Sequence, residues 1–185
     1  MMDHIDKFNS ELTEAPFISC CVCEINFEAT GVKYIVEKSF KRVSENVQYS
    51  IYEYAICWDC AQKFQEKISP ESNQAIQTYF FDQLRNRPPR FFEEYENPVH
   101  VSLSECMVKG TKTTDLTEYT MCGVFRDGQF SMDALPYVLS SAVLGEIAEK
   151  LSASTKDEMD DFRETYLGGP PELEELFKGR PVVFL

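Results

Sequence analysis

Only two histidines, His4 and His100, and a single tryptophan occur in this chain of 185 residues. So little imidazole removes most general acid–base and catalytic-metal arrangements. The sequence holds no H-E-x-x-H, no G-x-S-x-G, no G-x-G-x-x-G and no glycine-rich phosphate loop. A Cys–His nucleophile would need His100 to reach Cys106 or Cys122, and nothing in the spacing supports that. The carboxylates at Asp157 to Asp161 and Glu172 to Glu175 read as solvated helix faces rather than acid–base pairs. Catalysis is therefore the minority reading.

Long apolar runs and positive charge are also scarce. The most apolar stretch, Ala134 to Ala148, is interrupted by two serines, a glycine and a glutamate. A bilayer span needs about 20 predominantly apolar residues. Met1 to Ala15 is polar and acidic, which is not the pattern of a signal peptide. Lysine and arginine number 18 against 31 acidic residues, for a formal charge of −13. Residues 1 to 95 carry ten basic and fifteen acidic groups, and residues 96 to 185 carry eight and sixteen. Both halves are acidic, which opposes phosphate-backbone binding over the whole surface and favours solubility. Fourteen phenylalanines and nine tyrosines give a globular composition with material for a real core.

Cysteine is present in an odd number, seven, which implies a reducing, cytoplasmic setting rather than a disulfide framework. Their placement organises the N-terminal half. Cys20-Cys21-Val22-Cys23 and Cys57-Trp58-Asp59-Cys60 each hold two thiols separated by two residues. Such a unit turns a tight knuckle and presents both sulfurs to one ion. Two of them complete a tetrahedron with Zn–S distances of ~2.3 Å. The ligand set is Cys20, Cys23, Cys57 and Cys60; Cys21 is the spare, although it can stand in for Cys20. Four thiolates leave no position for water, so the expected Zn2+ is structural. The second unit runs into a helical pattern with Ala61, Phe64 and Ile68 on one face, where a helix N-terminus favours thiolate. A redox dithiol at Cys57 and Cys60 is the rival, but it wants a parallel β–α–β context.

Between the knuckles, Val32 to Phe40 and Val47 to Ile56 read as a hairpin turning at Ser44-Glu45-Asn46. Knuckle, hairpin, knuckle and helix in that order resemble the treble-clef class of zinc finger over residues 17 to 68. The resemblance implies a fold element and a metal, not a function. Ser69-Pro70-Glu71 starts a helix expected to run to about Leu84 and to bury Ile76, Tyr79, Phe80 and Leu84. Phe91 to Pro98 is the boundary between a zinc-binding half, 1–95, and a metal-free half, 96–185, packed together.

In the second half Val99 to Val108 and Glu118 to Phe125 read as strands. Asp127-Gly128 is a turn, followed by a short return strand at 129–132. Tyr137 to Leu151 is an amphipathic helix, and Thr155 to Glu158 is a capping box opening another. A short helical turn at 172–177 and a strand at 181–185 follow. Glu53-Tyr54-Ala55-Ile56-Cys57 is echoed by Glu118-Tyr119-Thr120-Met121-Cys122, each half later has a serine-capped helix, and Cys106 corresponds to Cys20. The fold class is thus α+β, a treble-clef-like module followed by a related hairpin-plus-helices half, read as a degenerate duplication. Cys106 and Cys122 are then buried relics, with binding of a metal alongside His100 as the alternative.

The leading expectation is a protein-interaction module with a structural zinc, whose partner surface lies near Phe91, Phe92 and Tyr95. One alternative is an acidic inhibitor of the immunity or antitoxin type that occupies a basic enzyme. The other is nucleic-acid binding through Lys33, Lys38, Lys41 and Arg42 with Arg85, Arg87 and Arg90.

Overall fold

The computed structural model describes residues 4–45, 47–86, 98–131 and 133–167. The expected features at 87–97, 172–177 and 181–185, including Phe91, Phe92 and Tyr95, lie outside the described residues. After a 3-10 turn at His4–Phe8 come β1 (Lys33–Ser44), β2 (Val47–Cys57), α1 (Trp58–Gln65), α2 (Pro70–Asn86) and α3 (Pro98–Ser104). Then follow β3 (Glu118–Arg126), β4 (Gln129–Phe130), β5 (Tyr137–Ser140), α4 (Ser141–Ala148) and α5 (Ala153–Tyr166). The architecture is mixed α+β around one antiparallel sheet ordered β2-β1-β3-β4, with β5 also paired to β3.

β1 and β3 lie in the middle of the sheet and join strands from both halves of the sequence. Their burial is unbroken from Tyr34 to Phe40 and from Tyr119 to Phe125, because both faces are covered. Alternation along β1 puts Tyr34, Val36, Lys38 and Phe40 on one face and Ile35, Glu37 and Ser39 on the other. The first face meets the N-terminal segment. Phe8 packs edge-on to Phe125 and Phe130, and Phe27 stacks on Tyr34 at 4.0 Å. The second face meets the helices, with Tyr54 against Phe162 of α5 at 5.6 Å.

Each face of β1 also buries a charge. Lys38, 1% exposed, pairs with Glu11 at 2.8 Å and Glu53 at 3.4 Å, and donates to the Asn9 carbonyl. Glu53 in turn accepts from the Ser10 hydroxyl at 2.7 Å. Glu37, wholly buried, accepts from the hydroxyls of Tyr52 at 2.8 Å and Tyr54 at 2.6 Å. The guanidinium of Arg163, itself buried, acts on the same carboxylate electrostatically. Burial depresses the pKa of that guanidinium, and Asp160 beside it pushes the other way. Charges left unpaired at such depth would be strongly destabilising.

Several expected elements change type. Val99 to Val108 forms a helix, α3, to Ser104 instead of a strand. Its alternating valines and leucine satisfy a helical turn as well, and Ser102 and Ser104 bond back to the Val99 and Val101 carbonyls. Tyr137–Ser140 is a strand rather than the start of a helix, because it pairs with β3. α4 begins only after Ser140, whose side chain caps the Val143 N–H. α5 is capped by Ser152, the serine cap expected of the second half, three residues before the expected capping box at Thr155. The Asp127-Gly128 turn is present: φ of 52° and 72° suits a tight primed turn between β3 and β4. The echo between Glu53–Cys57 and Glu118–Cys122 falls on unlike places in the sheet. Among the described residues β2 is an edge strand, whereas β3 is central.

α2 and α5 meet head to head through their first turns. The Ser69 N–H donates to Thr155 Oγ1 at 3.0 Å, and the Ser152 N–H donates to Ser72 Oγ at 2.9 Å. The Ser69 and Ser152 hydroxyls touch at 3.0 Å between them. Helix starts leave N–H groups without partners, and here each helix supplies acceptors to the other.

Candidate metal centre

The chain enters the site through a tight turn. Ser19 bridges to Asn26, the Cys20 N–H donates to the Ile25 carbonyl at 3.0 Å, and Glu24, in left-handed conformation at φ 60°, returns its N–H to the Cys20 carbonyl. The Cys21 N–H ties this knuckle to the end of β2 through the Ala55 carbonyl at 2.9 Å. β2 then delivers Cys57 as the N-cap of α1, which places Cys60 one turn on.

One sulfur from each of Cys20, Cys23, Cys57 and Cys60 lies within 4.8 Å of every other. The Cys23 and Cys57 sulfurs are 3.7 Å apart. A regular tetrahedron with metal–sulfur bonds of ~2.3 Å has edges of about 3.8 Å. The four residues that sequence reasoning selected are therefore brought close together, in a cluster compatible with a four-coordinate ion. Cys20, Cys57 and Cys60 are 1%, 6% and 9% exposed, while Cys23 is exposed. Lys33 Nζ lies 3.8 Å over the Trp58 ring between the ligand positions of α1.

Backbone amides point at the sulfurs. Cys57 and Val22 donate to Cys20 Sγ at 3.3 and 3.4 Å, and Cys60 donates to Cys57 Sγ at 3.5 Å. Burial opposes ionisation of Cys20, but the amide donors outweigh it and its pKa lies below the ordinary thiol value. Burial raises Cys57 and Cys60; at Cys60 the neighbouring thiols add to the rise, whereas at Cys57 the Cys60 amide and thiol pull the other way. Four clustered thiols could hold a soft cation that compensates their negative charge, the chemistry that zinc and related thiophilic metals prefer. Cys21 lies outside the cluster of four, and burial, with the Cys20 charge behind it, pushes its thiol up to about 12.

The other sequence-selected groups are dispersed. Cys106 is fully buried against Ser140, and Cys122 sits in β3 opposite Glu37 and beside Tyr137. His100 stands on α3 with its ring 5.3 Å from that of His4. Lys33 pairs with Asp133, Lys41 with Glu118, and Lys38 is buried; Arg42 donates to the Leu116 and Thr113 carbonyls. The hairpin cations are thus engaged within the chain. Arg85 lies in the last turn of α2, and Arg87 and Arg90 lie outside the described residues. The strand entering Cys57 runs antiparallel to its neighbour, unlike the parallel setting of a redox dithiol. The buried Glu37 and Lys38 clusters escaped sequence reasoning, although adjacent opposite charges inside a run of aromatic and β-branched residues are their signal.

No family model, curated protein or solved structure matches the chain. Among the described residues no helix is long and apolar enough to cross a membrane.

Proposed function

We propose that the chain is a protein-interaction module pinned by a structural Zn2+ on Cys20, Cys23, Cys57 and Cys60, in a treble-clef-like arrangement of knuckle, hairpin and helix. The observation that carries this reading is the convergence of four sulfurs within 4.8 Å. With four thiolates no coordination position remains for substrate, so the metal organises the fold and does not catalyse. A protein partner is supported by the exposed apolar tip of the β1–β2 hairpin, where Val43, Val47 and Tyr49 are 66%, 54% and 43% exposed beside an edge strand. Engagement of the hairpin cations with acids, a ring and carbonyls speaks against nucleic acid.

Metal analysis of the purified chain tests the site. About one zinc per chain is expected, held at neutral pH and released as acid protonates the thiolates. Cys60→Ser should lose that metal. A native chain that binds none and remains fully protected from amide exchange would overturn the reading.

The formal charge of −13 favours a second reading, an acidic inhibitor seated on a basic enzyme. Partners captured from extract separate the two. Affinity falling steeply with salt supports the inhibitor, while salt-indifferent binding that Tyr49→Asp abolishes supports the apolar hairpin tip.

A further inference from the structure

The turn that carries Cys20 and Cys23 has a counterpart. Glu105 bridges to Lys112 as Ser19 bridges to Asn26. The Cys106 N–H donates to the Thr111 carbonyl at 2.8 Å, matching Cys20 to Ile25 at 3.0 Å. Gly110 N–H returns to the Cys106 carbonyl at 2.7 Å, and it has φ 65° where Glu24 has 60°. Met107 N–H ties this turn to the Val138 carbonyl at 2.8 Å, as Cys21 N–H is tied to Ala55.

The match continues into the strand and helix. β5 ends at Ser140, opposite Tyr119, as β2 ends at Cys57, opposite Tyr34. Ser140 N–H points at Cys106 Sγ at 3.4 Å, as Cys57 N–H points at Cys20 Sγ at 3.3 Å. Val143 N–H is capped by Ser140 Oγ at 3.4 Å, as Cys60 N–H is capped by Cys57 Sγ at 3.5 Å. From there the sequences run in step at a displacement of 83 positions: Glu66-Lys67-Ile68-Ser69 against Glu149-Lys150-Leu151-Ser152. The interlocked helix caps, Ser69 with Ser72 and Ser152 with Thr155, obey the same displacement.

We propose that residues 105–151 are the frame of a second four-ligand metal site, with Cys106, Lys109, Ser140 and Val143 at the places of Cys20, Cys23, Cys57 and Cys60. This rests on the reading of the first cluster as a metal site. Only Cys106 keeps its ligand, so the native second frame holds no ion. Its closure is supplied by side chains instead. Lys109, at the place of Cys23, pairs with Glu146 of α4 at 2.7 Å, and Glu146 also accepts from the Tyr79 hydroxyl at 2.6 Å. Val143 and Val108, 0% and 3% exposed, belong to the apolar core there. Cys122 is not part of this frame, since its register partner in the first copy is Glu37.

The triple variant Lys109→Cys/Ser140→Cys/Val143→Cys tests this under reducing conditions, with Zn2+ and Co2+ as the probes. Wild type should bind about one equivalent and the variant about two, with the intensity of the tetrahedral cobalt–thiolate spectrum doubling. Adding Cys106→Ser to the variant should remove the gain. One equivalent in both proteins overturns this inference alone, whereas none in wild type overturns the first site as well. Should the variant fail to fold, amide exchange on chelator-treated wild type decides. The Cys21 and Glu24 amides should lose protection while their counterparts Met107 and Gly110 keep theirs. Equal loss at all of them would refute a frame that closes without metal.

Discussion

The interlocked helix caps offer a quantitative test of how the two halves are joined. Ser72 and Thr155 are fully buried, and each supplies the acceptor for one N–H of the other helix start. Ser72→Ala strips the acceptor from the Ser152 N–H but leaves Ser152 Oγ capping the Thr155 N–H at 3.2 Å. Thr155→Val, near-isosteric, strips the acceptor from the Ser69 N–H in the same way. Leaving a buried N–H unsatisfied costs about 1–3 kcal/mol. Retention of the local caps places each variant toward the lower part of that range, about 1–2 kcal/mol. For a chain of this size that is a fall in Tm of about 2–8 °C. The two hydroxyls also share partners: Ser69 Oγ lies 3.0 Å from Ser72 Oγ and 3.2 Å from Thr155 Oγ1. Loss of one therefore loosens what the other holds. The double variant should fall short of the sum of the single costs by about 0.5 kcal/mol or more. Thr155→Ser, which keeps the acceptor, should stay near wild type. Urea denaturation of metal-saturated protein with an unchanged m value is the assay. Single variants within about 0.3 kcal/mol of wild type, or strict additivity, would refute the idea that these hydroxyls clamp the two helix starts together.

Gly123 in β3 leaves room for Phe8, since a Cβ there would meet the Phe8 ring at 2.9 Å. Gly123→Ala should displace the N-terminal segment and cost about 1–3 kcal/mol, measured by denaturation, with increased protease cutting near Phe8. The hydrogen bond from Lys109, supported by the Tyr79 hydroxyl, lowers the pKa of Glu146 from the ordinary value of 4.5. Because the folded-state value is the depressed one, this pair contributes stability above the ordinary carboxylate range and loses it as pH falls through the folded value. A carboxyl NMR titration should place the Glu146 midpoint below 4.5, and Lys109→Met should raise it. An unmoved midpoint would remove the pair as the closure of the second turn.

The four-cysteine cluster could be read from the chain because its chemistry is local: two short spacings and a helix start bring the sulfurs within reach whatever surrounds them. Elements defined by strong local punctuation were equally legible, such as the helix opened by Ser69-Pro70 and the turn at Asp127-Gly128. Segments without it were not. Val99 to Ser104 carries an apolar pattern that fits either period, and docking of Val101 and Leu103 against the core decided for a helix. Tyr137–Ser140 is too short to declare a state, and pairing with β3 made it a strand. The echo visible in the letters lies between Glu53–Cys57 and Glu118–Cys122, where three of five agree. The correspondence that the hydrogen bonds support runs instead from β2 to β5, where only Tyr54 and Tyr137 share a letter but backbone partners match.

The sequence by itself determined where a metal can be held, because ligand spacing and thiolate chemistry act over a few residues and need no distant partner. It also determined the acidic charge and the absence of the usual catalytic motifs. Only the tertiary structure decided that β1 and β3 merge the halves into one sheet, that Glu37 and Lys38 are buried with opposite partners on opposite faces, and that the turn at Cys106 and the end of β5 repeat the hydrogen bonds made by the turn at Cys20 and the end of β2. Those features depend on contacts between residues far apart in the chain, and pairing, burial and hydrogen bonding across such distances leave little trace in the order of the letters.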